Sequence, residues 1–142
     1  MKWTTPQGRV DALYSAISAG QSVRVRSLLG VEPSLANSSQ RTPPPLHWAV
    51  YRNRIRMVQV LLDAGADIEL SDREGGSTAL DYAILYARED IVRLLIDRGA
   101  DTEGRLGMVR AAAEEGYVWY PRLREPEAYA RIESILEGLG VA

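Results

Sequence analysis

The chain of 142 residues contains no cysteine and no phenylalanine, and its only histidine is His47. Without cysteine it cannot form a disulfide, bind a metal through thiolates or use a cysteine nucleophile. With one histidine it cannot build a zinc site from several imidazoles. The residue types that most often carry metal binding or nucleophilic catalysis are therefore scarce, and we expect neither a metal nor a cofactor.

Long apolar runs are also absent. No stretch approaches the ~18 apolar residues of a membrane-spanning helix, and the segment from Met1 to Pro6 lacks the apolar centre of a signal peptide. We therefore expect a cytoplasmic protein without a membrane partner. Lysine is nearly absent as well, since Lys2 is accompanied by sixteen arginines, and this bias is typical of a GC-rich bacterial genome.

The charge is small in total but unevenly distributed. The net charge of −2 and the pI near 5.5 argue against a nucleic-acid partner. Residues 1–71 carry eight Lys/Arg against five Asp/Glu, whereas residues 72–142 carry nine against fourteen. Two interpretations remain open: a solvated surface with a mild dipole, or a recognition surface whose basic and acidic ends steer a partner.

The main positive signal is an internal repeat. Leu13, Leu46 and Leu80 are 33 and 34 residues apart, and an alanine follows each leucine by three positions. Small residues at this spacing lie on one helical face and allow a neighbouring helix to approach closely. A second apolar run with helical spacing follows each first one, so we predict consecutive pairs of helices. These second runs contain Val25 with Leu28-Leu29, Val58 with Leu61-Leu62, and Val92 with Leu95-Ile96.

Two of the second runs end in similar sequences, Asp63-Ala64-Gly65-Ala66-Asp67 and Asp97-Arg98-Gly99-Ala100-Asp101. A glycine directly after a helix supplies the left-handed backbone conformation that a helix end commonly needs. We therefore predict that Gly65 and Gly99 each follow the end of a helix.

These segments resemble the ankyrin repeat. Pro45-Leu46-His47-Trp48-Ala49 and Gly65-Ala66-Asp67 match its Thr-Pro-Leu-His and Gly-Ala-Asp motifs, and Thr78-Ala79-Leu80-Asp81-Tyr82-Ala83 with Gly99-Ala100-Asp101 matches them again. The similarity covers roughly residues 9–103, although the first unit is degenerate. The resemblance implies an all-α ankyrin-repeat solenoid of about four stacked helix-turn-helix repeats with short, hairpin-like finger loops.

We predict a single domain that occupies the whole chain and consists of four parts. One repeat buries too little apolar surface to fold alone, so stacked neighbours and specialised ends are required. The parts are a degenerate N-terminal cap repeat (6–38), two regular repeats (39–72 and 73–103), and an irregular C-terminal cap repeat (104–142) with an insertion at 117–126.

Candidate catalytic groups are few. The resemblance implies that His47 ties a helix start to the adjacent finger through hydrogen bonds. The carboxylate pairs Glu89-Asp90 and Glu114-Glu115 consist of adjacent residues, whose side chains point about 100° apart on a helix, so neither is a ready acid–base pair. Glu89 and Asp90 fall near a helix start, where acidic side chains interact favourably with the helix dipole. We therefore expect that the protein is not an enzyme.

The resemblance also implies a concave groove lined by the finger loops and by the exposed side of each first helix. Tyrosine and arginine dominate binding hot spots, so Tyr51, Arg52 and Tyr86 are interpreted as the centre of a binding stripe. The predicted partner-binding residues are Arg41, Tyr51, Arg52, Arg73, Glu74, Leu85, Tyr86, Glu114, Glu115, Trp119 and Tyr120.

Some aromatic residues allow a second interpretation. The tyrosines of the stripe would instead pack on neighbouring helices if they served stability alone. Trp48 and Tyr82 occupy a position that leucine usually fills, and we expect both to face the core. Trp119 and Tyr120 either cover the last helix pair or extend the groove.

The sequence thus predicts a non-enzymatic protein–protein interaction module that binds a protein partner of unknown identity through its groove. One alternative is a bacterial inhibitor or immunity protein that neutralises a partner enzyme or toxin. Another is a self-associating structural subunit. We expect a monomer when no partner is bound.

Overall fold

A computed structural model describes residues 5–115 and 126–140 of the chain. That part of the chain forms eight α-helices and one 3-10 helix, and it contains no strand, which confirms the predicted all-α class. The α-helices are α1 (Pro6–Ala19), α2 (Ser22–Val31), α3 (Pro45–Tyr51), α4 (Ile55–Asp63), α5 (Ala79–Leu85), α6 (Glu89–Asp97), α7 (Arg105–Glu115) and α8 (Pro126–Gly138), and the 3-10 helix is Pro33–Asn37.

The described residues fall into two compact units, one that ends at Ala79 and one that begins at Leu80. The predicted division into four repeats is finer than this and stays a prediction. The predicted insertion at 117–126 lies outside the described residues, apart from Pro126, which begins α8.

A residue with a left-handed backbone follows each of the helices α1, α3 and α5. These residues are Gly20, Asn53 and Ala87, with φ angles of 70°, 55° and 55°. The amide of the following residue then donates to the carbonyl of an alanine five positions earlier, at 2.7–2.9 Å, which is the pattern of a Schellman motif. The pairs are Gln21 with Ala16, Arg54 with Ala49, and Arg88 with Ala83.

The second helices α4 and α6 end in the predicted way. Gly65 and Gly99 follow them with φ angles of 97° and 90°, respectively, so the two glycines supply the left-handed conformation that the helix ends require. Helix α2 ends differently, because Glu32 follows it with φ −141° and Pro33 then begins the 3-10 helix. The sequence analysis missed this short helix.

The 3-10 helix is joined to the loop after α4 by the side chain of its last residue, Asn37. Its Nδ2 donates to the carbonyl of Gly65 at 3.1 Å, and its Oδ1 accepts from the amide of Asp67 at 2.7 Å. The amide side chain therefore satisfies one acceptor and one donor of that loop.

The core of the first unit includes the repeat positions Leu13, Leu46 and Leu61 that the sequence predicted, together with Met57, which it did not predict. Side chains from four α-helices and the 3-10 helix are buried there. The largest are Leu13, Ile17, Leu28, Leu46, Met57 and Leu61.

In the second unit, Leu80, Ile84, Ile91 and Leu95 of α5 and α6 are buried together with Ile132 of α8. Tyr129 of α8 is also buried, and its hydroxyl donates to the carbonyl of Leu85 at 2.6 Å. Helix α8 therefore contributes both apolar cover and a hydrogen bond to the end of α5.

We expect the substitution Ala87→Gly to stabilise the protein. An L-residue in the left-handed region costs about 1–2 kcal/mol, and glycine avoids that cost while losing roughly 0.5–1 kcal/mol of chain entropy. The free energy of unfolding measured with urea should rise by about 0.5–1 kcal/mol. Ala83→Gly, inside the same helix, is the control and should destabilise by about 1 kcal/mol or more; a destabilised Ala87→Gly protein would contradict the strain at this position.

Removal of residues 105–142 should leave a molten or insoluble product. The deletion removes Tyr129 from the core and takes Arg105 away from the buried carboxylate of Asp81, and the loss of one partner of a buried ion pair is strongly destabilising. Near-ultraviolet circular dichroism and a thermal melt check this expectation. A soluble 1–104 fragment with a sharp melting transition would refute it.

Candidate functional site

Three aromatic rings of the first unit lie in contact along α1 and α3. The rings of Tyr14 and Trp48 have centroids 6.3 Å apart and are tilted by 49°. Trp48 is stacked on Tyr51 with centroids 5.5 Å apart and planes 25° apart. Both Trp48 and Tyr51 are half-buried, so part of this aromatic row faces solvent.

Two arginines lie against these rings. The guanidinium carbon of Arg41 is 4.5 Å from the ring centroid of Tyr14, and that of Arg52 is 5.9 Å from the ring centroid of Trp48. Both distances fit a cation–π contact. Tyr14, Arg41, Trp48, Tyr51 and Arg52 together are called the aromatic–arginine surface below.

The aromatic–arginine surface is held in place at Ser18, near the end of α1. The indole Nε1 of Trp48 donates to Ser18 Oγ at 2.9 Å. The guanidinium of Arg54, which follows α3, donates twice to the carbonyl of Ser18, at 3.2 and 2.8 Å. The side chain of Trp48 is therefore fixed by a hydrogen bond before any partner arrives.

A shallow pocket of about 420 Å³ opens on the α1 side of the same surface. Its lining combines aromatic faces, hydroxyl groups and one guanidinium, so it offers apolar area together with hydrogen-bond donors. The lining residues are Tyr14, Ser15, Ser18, Ala19, Arg41 and Trp48.

Tyr14 forms the buried edge of this pocket. Its hydroxyl donates to the carbonyl of Pro43 at 2.7 Å. Burial raises the pKa of Tyr14 to about 12, although the positive charge of Arg41 acts in the opposite direction. The phenol therefore stays neutral and donates its hydrogen bond throughout the physiological pH range.

Tyr14, His47 and Asp81 occupy the same position of successive repeats, and each forms a hydrogen bond with a residue further along the chain. Tyr14 reaches Pro43, as described. His47 is fully buried, and its Nε2 donates to the carbonyl of Ser77 at 2.8 Å, which confirms the predicted structural role of this histidine. Asp81, in the second unit, accepts from Nε of Arg105 at 2.9 Å.

The predicted finger residues Arg73 and Glu74 are exposed. The finger that carries them is closed by Asp72, whose carboxylate accepts from the amides of Gly75 and Ser77 at 3.1 and 3.0 Å. The amide of Asp72 also donates to the carbonyl of Ser77 at 2.9 Å. These bonds hold Arg73 and Glu74 at the tip of a defined loop.

In the second unit, Leu85 and Tyr86 are half-buried at the end of α5. The ring of Tyr86 meets that of Tyr82 edge-on, with centroids 6.0 Å apart. Glu114 is exposed on α7, and Glu115 is the last residue of that helix. The predicted residues Trp119 and Tyr120 lie outside the described residues.

Trp48 and Tyr82 were expected to face the core, and both side chains are half-buried, so each is covered on one part and open to solvent on another. Leucine would be covered completely at this position, whereas the larger rings extend to the surface and Trp48 directs its indole N–H to Ser18. The sequence analysis also missed Tyr14 as part of the surface. Its place at the repeat position of His47 was the available signal.

Glu89 serves structure, as its position at a helix start suggested. Its carboxylate accepts from Nε of Arg131 at 2.6 Å and from Nη2 of Arg93 at 3.3 Å. These hydrogen bonds, chiefly the one from Arg131, lower the pKa of Glu89. Arg110 likewise binds Glu133 and Glu137 at 2.7 and 2.8 Å, which raises its pKa and joins α7 to α8.

The described part of the chain contains neither a metal-binding cluster nor a membrane-spanning helix. No group of three or more His, Asp or Glu side chains there is placed to hold a metal ion. None of the helices described has both the length and the apolarity to cross a bilayer.

The geometry defines an all-α repeat protein with an exposed aromatic and arginine-rich face. The family model of ankyrin repeats (3 copies) matches residues 13–105, and the chain belongs to the ankyrin-repeat family. The resemblance found from the sequence is thereby confirmed. Members of this family are typically non-enzymatic modules that bind other proteins.

Curated relatives share the repeats but are longer proteins. The chain is 32% identical over 131 residues to an E3 ubiquitin-protein ligase, hecd-1, of Caenorhabditis elegans, which is 92% of this chain and 4% of the relative. It is 45% identical over 53 residues to the human 2-5A-dependent ribonuclease, covering 37% of this chain and 7% of the relative. With 26S proteasome non-ATPase regulatory subunit 10 of Dictyostelium discoideum the identity is 30% over 103 residues, or 70% of this chain and 44% of the relative. The chain therefore spans less than half the length of these relatives.

The raised pKa of Tyr14 predicts a dependence of stability on alkaline pH. The folded state favours the neutral phenol. The contribution of Tyr14 to the free energy of unfolding is therefore fully present below pH 10, and it is lost as the pH rises towards about 12. Tyrosinate absorbance should reveal one phenol that ionises near pH 12 and is missing in Tyr14→Phe. Over this pH range the variant should lose less free energy of unfolding than the wild type, and identical titration curves would contradict the assignment.

Proposed function

We propose that the chain is a non-enzymatic module that binds a protein partner through the aromatic–arginine surface of its first unit. The observation that carries this proposal is the half-buried indole of Trp48, stacked on Tyr51 and flanked by an exposed arginine, Arg52. Tryptophan, tyrosine and arginine are the residue types that contribute most to binding hot spots.

Pre-ordering of the surface supports the same proposal. Trp48 is tied to Ser18 by its indole N–H, and Arg54 holds the carbonyl of the same residue. A side chain that is already fixed loses little rotamer freedom on binding, a loss that otherwise costs about 0.5–1.5 kcal/mol for each flexible side chain. The face is therefore suited to bind without rearrangement.

The other predicted groove residues extend this proposal and are tested separately. In the second unit the tyrosine pair of Tyr82 and Tyr86 offers a second aromatic patch next to Leu85. Arg73, Glu74, Glu114, Glu115, Trp119 and Tyr120 remain candidates of the same kind. An inhibitor of a partner enzyme and a self-associating subunit also remain hypotheses.

The double variant Tyr51→Ala/Arg52→Ala should bind its partner at least about 30-fold more weakly, which corresponds to the ~2 kcal/mol lost on truncation of a hot spot. The partner is first isolated by affinity capture and identified, and its Kd is then measured by calorimetry with both proteins pure. Arg24→Ala/Arg26→Ala changes two exposed arginines of α2 and is the matched control, which should keep wild-type affinity.

A thermal melt and near-ultraviolet circular dichroism must show that the double variant is folded. Undiminished affinity in a folded Tyr51→Ala/Arg52→Ala protein would refute the proposed surface. Tyr86→Ala, measured alongside, tests the patch of the second unit independently.

Light scattering on the pure protein distinguishes partner binding from self-association. We expect a monomer at micromolar concentration. A dimer that Tyr51→Ala/Arg52→Ala converts to a monomer would show that the surface binds a second copy instead, and it would overturn the proposal of a different partner protein.

A further inference from the structure

Six arginines of the described residues donate a side-chain hydrogen bond to an acceptor within the same unit. These are Arg9, Arg54, Arg93, Arg105, Arg110 and Arg131, whose acceptors are carboxylates or backbone carbonyls. Arg41, Arg52 and Arg73 differ from this group. Within the described part of the chain their guanidinium groups donate no hydrogen bond, and all three residues are exposed.

The contacts of Arg41 leave its donors available. Its guanidinium carbon lies 4.5 Å from the ring centroid of Tyr14, a cation–π contact that uses none of its N–H groups in a hydrogen bond to oxygen or nitrogen. Asp11 Oδ1 approaches Arg41 Nη1 at 3.7 Å, within ion-pair range but too far for a hydrogen bond. A planar guanidinium fixed by a ring presents its N–H groups as a fork that matches a carboxylate.

A second, smaller pocket of about 100 Å³ lies between the loop before α3 and the loop that leads to the next finger. Arg41 and Arg73 both line it, and Arg41 also lines the larger pocket at Trp48. None of its lining residues, all of them from the described part of the chain, is Asp or Glu. The other lining residues are Asn37, Ser38, Ser39, Thr42, Pro44, Leu70 and Ser71.

One carboxylate of the same unit already lies beside Arg41. Asp11 of α1 lies 3.7 Å from Arg41, and its Oδ1 accepts a hydrogen bond from Nε2 of Gln7 at 3.0 Å. The half of the chain that contains these residues, 1–71, also carries an excess of basic residues. A partner with negative charge would therefore be attracted to the first unit.

From these contacts we infer that the partner presents an acidic peptide segment, whose carboxylates bind Arg41, Arg52 and Arg73 and whose apolar side chain covers Trp48. This inference rests on the proposed function and specifies the chemistry of its partner. Arg41 joins the two pockets, so a carboxylate bound there lies between an apolar site at Trp48 and a site lined by hydroxyl groups and Arg73. Asp11 competes with the incoming carboxylate.

A peptide is favoured over a single-stranded nucleic acid, which also uses arginine and aromatic side chains. A nucleic acid carries one charge per nucleotide and requires a basic surface of wide extent. This chain has a net charge of −2, an exposed Asp11 lies 3.7 Å from Arg41, and an exposed Glu74 directly follows Arg73. A few carboxylates suit such a surface better than a continuous phosphate backbone.

The experiment selects peptides of about 12 random residues, roughly 40 Å when extended, from a displayed library against the immobilised full-length protein. We expect the selected sequences to be enriched in Asp and Glu next to an aromatic or large aliphatic residue. The variant Arg41→Glu/Arg52→Glu should lose that enrichment and select Lys and Arg. Arg24→Glu/Arg26→Glu carries the same change of charge on α2 and should still select acidic peptides.

A selected peptide is then synthesised with a fluorescent label, and its Kd is measured by anisotropy. Arg41→Gln should weaken binding about 10-fold, the effect of losing one charge-assisted pair of hydrogen bonds. Asp11→Asn should strengthen binding about 2-fold, because it removes the competing carboxylate. The wild-type affinity should fall as NaCl rises from about 0.05 to 0.3 M.

The outcomes separate this inference from the proposed function. Selected peptides without acidic enrichment that still lose affinity in Trp48→Ala would overturn the acidic partner and leave the surface intact. Peptides that bind Trp48→Ala and the wild type equally would overturn the surface itself. An unlabelled oligo(dT) of similar length is tested as a competitor of the labelled peptide. If the oligo(dT) binds more tightly than the peptide and displaces it, the arginines bind nucleic acid and the inference is overturned.

Discussion

The main-chain carbonyls of Ala16, Ala49 and Ala83 each accept a hydrogen bond from the amide of the residue five positions later. The residue just before that amide has a left-handed backbone in all three cases. This hydrogen bond ends the first helix of each pair and turns the chain so that the second helix can return. The methyl side chain at the same position keeps the neighbouring helix close, and all three alanines are fully buried. One residue type therefore takes part in ending the helix, in reversing the chain and in close packing against the neighbouring helix.

Tyr14, His47 and Asp81 occupy one repeat position and differ in chemistry. All three nevertheless form a side-chain hydrogen bond with a later part of the chain. A phenol, an imidazole and a carboxylate each form a hydrogen bond with a residue further along the chain, at 2.7, 2.8 and 2.9 Å. Each of these hydrogen bonds satisfies one buried polar atom. The choice of residue has consequences at the surface, because only the tyrosine adds a ring against which Arg41 packs.

Much of this fold could be predicted because its signals lie in single residues with strong local effects. Gly65 and Gly99 are found where a left-handed residue ends a helix, and His47 forms the hydrogen bond that its motif implied. The 3-10 helix could not be foreseen, since Pro33 follows a helix end without glycine.

The candidate site was less predictable. Whether an arginine is available depends on the acceptors around it, as the contrast of Arg54 with Arg52 illustrates. The solvent-facing edge of Trp48 likewise follows from the size of the indole and from a hydroxyl group thirty residues earlier.

The amide of Asn37 has a consequence for the chemical ageing of the protein. One side of this group donates to the carbonyl of Gly65, and the other accepts from the amide of Asp67. Hydrolysis of the side-chain amide would replace the donor with a carboxylate oxygen and set two acceptors against each other. The cyclisation by which asparagine deamidates needs the amide nitrogen of Ser38 as its nucleophile, and that amide donates to the carbonyl of Leu35 at 3.1 Å. The folded joint between the 3-10 helix and the loop after α4 therefore holds both reacting groups, and deamidation at Asn37 requires this joint to open first.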